Sequence, residues 1–243
     1  MTAVFVHGVP DTHRVWTPVL ARLARRDVIA LSLPGFGVPV PDGFAATKEA
    51  YAAWLIGEIE QLGEPVDIVG HDWGAILALR AVSLRGDLIR SWAAGGGPLD
   101  SEYVWHDTAQ LWQTETVGEG VMQAMTEEVM AAALGEGGVP AEQAAEAARH
   151  IDDTMKDCIL RLYRSAKTVG AEWEGDLARI DAPGLVIFGA DDPYVAPRFA
   201  HRLAARTRAR RTLILEGCGH WWECQRPDEV AEALEAHWRG AGG

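Results

Sequence analysis

Two rhythms of apolar and polar positions run along this chain. Short, almost unbroken apolar runs at 3–6, 28–33, 66–69, 91–94, 184–188 and 211–215 have the length and β-branched content of buried strands. Between them, 15–26, 48–62, 74–85, 198–207 and 227–239 carry apolar residues at helical spacing. Strand–helix alternation with strands apolar on both faces predicts an α/β protein: a mostly parallel sheet of about six strands, covered by helices on both sides. Small or helix-breaking residues close the strands, as in His7-Gly8-Val9-Pro10, Pro34-Gly35-Phe36-Gly37, Gly70-His71-Asp72-Trp73-Gly74 and Gly189-Ala190-Asp191-Asp192-Pro193. In such sheets ligands bind beyond the carboxyl ends of the strands. The alternation has one long break, at 98–175, which is helix-like throughout. This predicts a helical cap at 98–175 inserted into a core made of 1–97 and 176–243.

Charge narrows the choice of partner. Acidic residues outnumber basic ones 35 to 22, a formal charge of −13. Such a chain repels phosphate backbones and anionic lipid, so neither a nucleic acid nor a membrane is expected as partner. No apolar run approaches the roughly 20 residues that a membrane span needs. The acid is concentrated in 98–175, where 15 Asp/Glu face 5 Lys/Arg, which marks that segment as a separate unit with a solvated surface. Met1 to Val6 lead straight into a strand without a basic leader, and three cysteines lack CxxC spacing. A cytoplasmic protein without a disulfide framework or structural zinc is expected.

The chemistry concentrates at Gly70-His71-Asp72-Trp73-Gly74, which lies between a buried strand and a helix. Flanking glycines permit a turn so sharp that the central side chain stands exposed at the sheet edge, at the amino end of a helix; with serine in the centre this is the nucleophile elbow. Here the centre is Asp72. The loop at His7-Gly8-Val9-Pro10 can aim a backbone N–H at the same point, so Val9 and Trp73 are expected to form a two-donor oxyanion hole. Asp192 follows the fifth strand and His220 the last, in the chain order nucleophile, acid, histidine. Asp192 would orient His220, and His220 would activate water. Asp191 competes for the acid's role, and the Gly-x-x-Asp spacing favours Asp192. His7 and His71 read as structural hydrogen-bonding residues. No phosphate-binding glycine loop and no His/Cys ligand spacing is present, so no cofactor and no metal is expected.

These motifs resemble the α/β-hydrolases with an aspartate nucleophile: epoxide hydrolases, haloalkane dehalogenases and fluoroacetate dehalogenases. His7–Pro10, Gly70–Gly74 and Cys218-Gly219-His220-Trp221 are similar to the soluble epoxide hydrolases in particular, and the resemblance covers nearly the whole chain, less well in the cap. It implies an α/β-hydrolase fold. The family's amino-terminal hairpin is expected to be missing or very short here, since six residues precede His7.

An aspartate suits displacement at saturated carbon, where it forms an alkyl ester; attack on an ester or amide would give an anhydride. Leu162-Tyr163-Arg164 resembles the segment that carries one cap tyrosine in epoxide hydrolases, which implies Tyr163 as the acid that protonates the leaving oxygen. The family's second tyrosine has no counterpart near Gln110-Leu111-Trp112; Tyr103, Trp105, His106 or Trp112 is expected in its place. For dehalogenation, Trp73 supplies one halide donor, but Val9 stands where a donor side chain is often found, so a cap indole (Trp105, Trp112 or Trp173) would have to supply the second. Fluoroacetate chemistry is disfavoured by Trp73, which stands where arginine holds the carboxylate. Ten tryptophans, six of them in cap or site loops, point to an apolar pocket lined by Trp73, Tyr103, Trp105, His106, Trp112 and Trp221. The expectation is an enzyme that opens a neutral epoxide to a diol, with a haloalkane dehalogenase as the alternative and a non-catalytic ligand-binding protein of the same fold as the alternative from another class.

Overall fold

The computed structural model describes residues 2–241. Six strands and twelve α-helices follow one another as β1 (Ala3–Val6), α1 (Thr17–Leu20), β2 (Val28–Leu31), α2 (Lys48–Gln61), β3 (Val66–His71), α3 (Trp73–Leu84), β4 (Ile89–Gly95), α4 (Asp107–Gln113), α5 (Val117–Ala124), α6 (Glu127–Glu136), α7 (Ala141–Ala148), α8 (Asp153–Ser165), α9 (Val169–Trp173), β5 (Gly184–Gly189), α10 (Arg198–Thr207), β6 (Arg211–Leu215), α11 (Trp222–Gln225) and α12 (Pro227–Ala241). The strands form one sheet in the order β2-β1-β3-β4-β5-β6. Every pairing is parallel.

The period of two explains why these runs are strands. In β1, Val4 and Val6 point into one core and Ala3 and Phe5 into the other. In β5, Val186 and Phe188 face the first core, and Leu185 and Ile187 the second. A strand buried on both faces needs apolar residues at successive positions, which parallel sheets show. Helices α2, α3 and α10 cover the first face, and α1, α11 and α12 the second.

One helix is shorter than its pattern. The apolar spacing over 15–26 predicts a continuous helix, but a 3-10 turn (His13–Trp16) leads into an α1 of four residues. A tertiary contact takes over. The N–H groups of Ala24 and Arg25 donate to the Glu235 carboxylate of α12. Arg25 then reaches the buried Asp67 at 2.9 Å and stacks on Trp238, 4.4 Å from its ring centroid. A charge-assisted pair to a buried carboxylate outweighs one more helical turn, whose net hydrogen bonds contribute about 1 kcal/mol each.

The sheet order reverses between β1 and β3, the two strands that flank the switch point. A crevice opens there beyond their carboxyl ends. Between β4 and β5 the chain forms helices only, α4 to α9 with a closing 3-10 turn (Glu174–Arg179).

Candidate active site

Asp72 sits at a sharp backbone turn near the switch point. Its φ of 51° and ψ of −121° lie in a region that side chains rarely adopt, between the last residue of β3 and the first of α3. The turn closes because its flanks are glycine. A Cβ on Gly74 would lie 2.0 Å from the Val6 carbonyl oxygen, and one on Gly70 2.3 Å from the Gly74 carbonyl oxygen. The elbow is thereby pressed against β1, and this brings the loop after β1 to Asp72.

The Val9 N–H donates to Asp72 Oδ1 at 2.8 Å. Trp73 is the first residue of α3, so its N–H has no acceptor within the helix and points to the same amino end. Asp72 Oδ2 faces His220 Nε2 at 3.6 Å. On the far side of the ring, His220 Nδ1 donates to Asp192 Oδ2 at 2.8 Å. Asp192 is itself fixed, because Oδ1 accepts from the N–H groups of Tyr194 (2.8 Å) and Val195 (2.9 Å). Asp191, left open by the sequence, is exposed and makes no such contact.

The electrostatics follow from burial and pairing. Burial pushes the Asp72 carboxyl up, but His220, His71 and the Val9 N–H outweigh it and leave it below the ordinary value. Asp192 behaves alike, its burial outweighed by His220 and the two N–H donors. Burial pushes His220 down, while the Asp192 and Asp72 carboxylates hold it well above the usual imidazole value. In the free protein, then, two carboxylates favour the protonated form of the imidazole between them.

A cavity of about 180 Å³ opens over this triad. Strand-end loops contribute Val9, Pro10, Asp72, Tyr194, Val195, His220 and Trp221; the segment between β4 and β5 contributes Tyr103, Trp105, His106, Trp112, Tyr163 and an apolar end of Met125, Met130 and Leu134. Tyr163, on α8, is buried amid three indoles, its ring centroid 5.5 Å from Trp73, 5.2 Å from Trp105 and 4.9 Å from Trp112. Burial raises its phenol pKa well above normal and the Asp72 charge adds to this, with the Trp73 indole N–H acting the other way. The phenol is therefore protonated at neutral pH.

Of the expected lining residues, Trp73 is not at the wall. It is fully buried and stacks behind Trp105 at 5.8 Å. Trp173 is also out of the cavity, held between Arg80 (4.8 Å) and Lys48 (5.7 Å). The four groups considered for the second donor differ in what they have left to give. Tyr103 donates to the Tyr194 carbonyl at 3.2 Å, Trp105 to the Ala166 carbonyl at 3.1 Å, and His106 Nδ1 accepts from the Ala109 N–H at the start of α4. The Trp112 indole N–H is buried without a partner, whereas that of Trp73, away from the wall, faces the Tyr163 phenol.

Tyr194 was not foreseen. Its ring lies 5.0 Å from His220 and brings another phenol to the cavity. Its place two residues after Asp192 was the available signal. His7 donates from Nδ1 to the Gly8 carbonyl and accepts the Leu33 N–H at Nε2, a neutral structural role; burial lowers its pKa to about 4. Among the described residues one group has donor atoms close enough to hold a metal ion: Asp11, His71 and Glu223, within 4.8 Å of one another.

A family model described as "Alpha/beta hydrolase family" matches residues 3–233. The chain is 21% identical to the (E)-2-((N-methylformamido)methylene)succinate hydrolase of Acinetobacter baylyi, over 96% of this chain and 88% of that protein. It is 24% identical to Epoxide hydrolase A of Mycobacterium tuberculosis, over 95% and 88%. It also matches the probable oxidoreductase EphD of the same organism at 26% identity, where 96% of this chain spans 45% of that protein. The haloalkane dehalogenase DbeA of Bradyrhizobium elkani USDA94 superposes with a TM-score of 0.80 at 21% identity, over 99% of this chain and 90% of that one. Among the described residues, no helix is long and apolar enough to cross a membrane.

Proposed function

Since the chain belongs to the alpha/beta hydrolase family, we propose that it is a hydrolase that opens a neutral, apolar epoxide to a vicinal diol through an ester on Asp72. The observation that carries this reading is Tyr163: a protonated phenol, caged by three indoles, on the wall of the same cavity as Asp72 and His220.

In the first step Asp72 Oδ2 attacks an epoxide carbon, while Oδ1 stays on the Val9 N–H. The carbon–oxygen bond of the ring breaks, and Tyr163 gives its proton to the leaving oxygen. A phenol helps here because an alkoxide is strongly basic, and general acid catalysis of this kind contributes about 10²–10⁴-fold. Esterification removes the charge of Asp72, which had helped to hold a proton on His220. The proton that His220 gives up restores the Tyr163 phenol; the neutral imidazole then takes a proton from water, and the hydroxide adds to the ester carbon. The oxyanion forms at the oxygen already held by Val9, with the Trp73 N–H as second donor. Collapse breaks the acyl–oxygen bond, the proton of the added hydroxyl passes to the departing diol oxygen, and the carboxylate is restored beside a protonated His220. On this reading 98–175 is a cap that closes the cavity, and its tryptophans and methionines select an apolar substrate. Three free, buried cysteines suit a reducing cytoplasm.

A second reading rests on the unpartnered indole N–H of Trp112, at the cavity wall. Such a donor on an apolar wall suits a departing halide, which makes an alkyl halide the competing substrate; two of the similar proteins, Epoxide hydrolase A and the dehalogenase DbeA, divide in the same way.

The test is a panel of epoxides and haloalkanes given to wild type, Asp72→Asn and His220→Gln. Epoxide turnover is expected, lost in Asp72→Asn, with mass spectrometry showing a substrate adduct on Asp72 in His220→Gln. An adduct on another residue, or turnover of halides alone, would overturn the epoxide reading.

A further inference from the structure

His71 precedes Asp72 in the elbow but points away from the cavity and is wholly buried. Its Nε2 lies 3.0 Å from the His220 carbonyl oxygen. A carbonyl only accepts, so Nε2 carries a hydrogen. Its Nδ1 lies 2.9 Å from Glu223 Oε1, on α11, and neither side chain has any exposure. That is ion-pair distance, although the two atoms are not aligned as a hydrogen bond. Neither oxygen of Glu223 has a hydrogen-bond donor, and His71 Nδ1 is the group facing it at ion-pair distance. A buried carboxylate with no other partner needs an adjacent positive charge. Asp11 completes the cluster, its Oδ2 accepting from the Trp221 indole N–H at 3.0 Å. Thus the chain at His220-Trp221 is gripped twice, once by its backbone and once by its side chain.

We propose that Glu223 holds His71 as an imidazolium, and that this fixed charge, 4.7 Å ring to ring from His220, positions His220 and keeps its imidazole available as a base. The proposal rests on the reading of His220 as the base of ester hydrolysis. Around His220 stand Asp72 at the elbow, Asp192 and Tyr194 after β5, His106 from the segment before α4, and His71 at the end of β3. Around His71 stand Asp11 and His7 after β1, Asp72, His220, and Glu223. Once Asp72 is an ester, Asp192 alone strongly favours the protonated imidazole, and a positive His71 opposes it. The sign is fixed by repulsion: a cation beside His220 makes the imidazole easier to deprotonate, and removing that cation makes it harder. His71 and Glu223 are positioning residues here and touch no substrate.

The wild-type protein, labelled with ¹⁵N-histidine, decides the charge directly. His71 should show both ring nitrogens protonated at pH 7, while His7 shows a bare Nε2. A bare Nδ1 on His71 would overturn the proposal. In Glu223→Gln, His220 should titrate about one pH unit higher than in wild type, and Glu223→Asp should restore the wild-type midpoint. An unmoved or lowered His220 midpoint would sink it. If Glu223→Gln does not fold, the wild-type spectrum still establishes whether His71 is charged. None of these readouts needs a substrate, so they are independent of the epoxide reading, which fails separately if no Asp72 ester forms. Where the ester does form, the acid limb of its decay in Glu223→Gln should move up by the same amount. A uniform fall in rate at every pH with the limb unmoved would mean a merely structural role.

Discussion

Tyr163 and Asp11 are two buried acids whose surroundings set them to opposite tasks. Tyr163→Phe removes the leaving-group proton and keeps the ring that packs on three indoles. Epoxide turnover should fall by about 10²-fold or more, while decay of a preformed Asp72 ester, followed by stopped flow, should stay within about twofold of wild type. Equal losses in both steps would remove Tyr163 from the acid's role. Asp11 is a matter of stability. Burial, and then the Glu223 charge, raise its pKa from 3.8 to about 7. The folded state therefore holds a proton on Asp11 that the unfolded chain releases near pH 4. Stability from this group is highest below that pH and is lost as pH rises to 7, by up to about 4 kcal/mol. Asp11→Asn keeps an acceptor for the Trp221 indole and removes the charge. It should be more stable than wild type by about 2 kcal/mol at pH 8 and unchanged at pH 4, measured by urea unfolding. Asp72, Asp192 and His220 were legible in the sequence because each sits in a short loop with its own glycine signature. The His71–Glu223 pair was not, since its partners lie 152 positions apart and only the fold joins them.

At the scale of elements, the helical segment between β4 and β5 is tied to α10 at both ends by one ion cluster. The buried Asp100 carboxylate takes Arg202 at 2.6 Å and Arg206 at 2.8 Å, both from α10. Arg206 also reaches Glu174 at 2.7 Å, and Glu174 accepts from the Ser101 N–H and hydroxyl. The first and last turns of the segment thus share one anchor on α10. Asp100→Asn leaves two arginines facing each other with their main counter-charge gone. A loss of about 2 kcal/mol is expected, less than for a fully buried pair because the guanidinium groups are a third exposed. Limited proteolysis should cut first near 98–102 in the variant; an unchanged digestion pattern would argue against the anchor. The strands were legible because burial on both faces writes unbroken apolar runs. The helix expected at 15–26 is cut short because Glu235 and Asp67, remote in sequence, claim its second half.

Over the whole molecule, the charge of −13 is distributed with a purpose the cavity makes visible. Ten of the thirteen excess negative charges belong to 98–175, the segment that supplies much of the cavity wall. The wall itself is apolar, and at its inner end Asp72 and Asp192 hold carboxylates against a single His220. An anionic substrate would meet repulsion twice: at long range from the surface of the segment, and at short range from Asp72 before any bond forms. A neutral epoxide meets neither. Between two epoxides of equal size, one bearing a carboxylate and the other its methyl ester, the ester should show kcat/KM higher by about 10-fold or more at low ionic strength. Part of that ratio should vanish at about 0.5 M salt, because exposed charges are screened over a few ångströms there. The remainder should persist, because Asp72 acts inside the cavity beyond the reach of salt. A carboxylate substrate preferred at every ionic strength would mean that its binding protonates a group at the wall against the burial that disfavours charge there, and His106 would be the group to replace first.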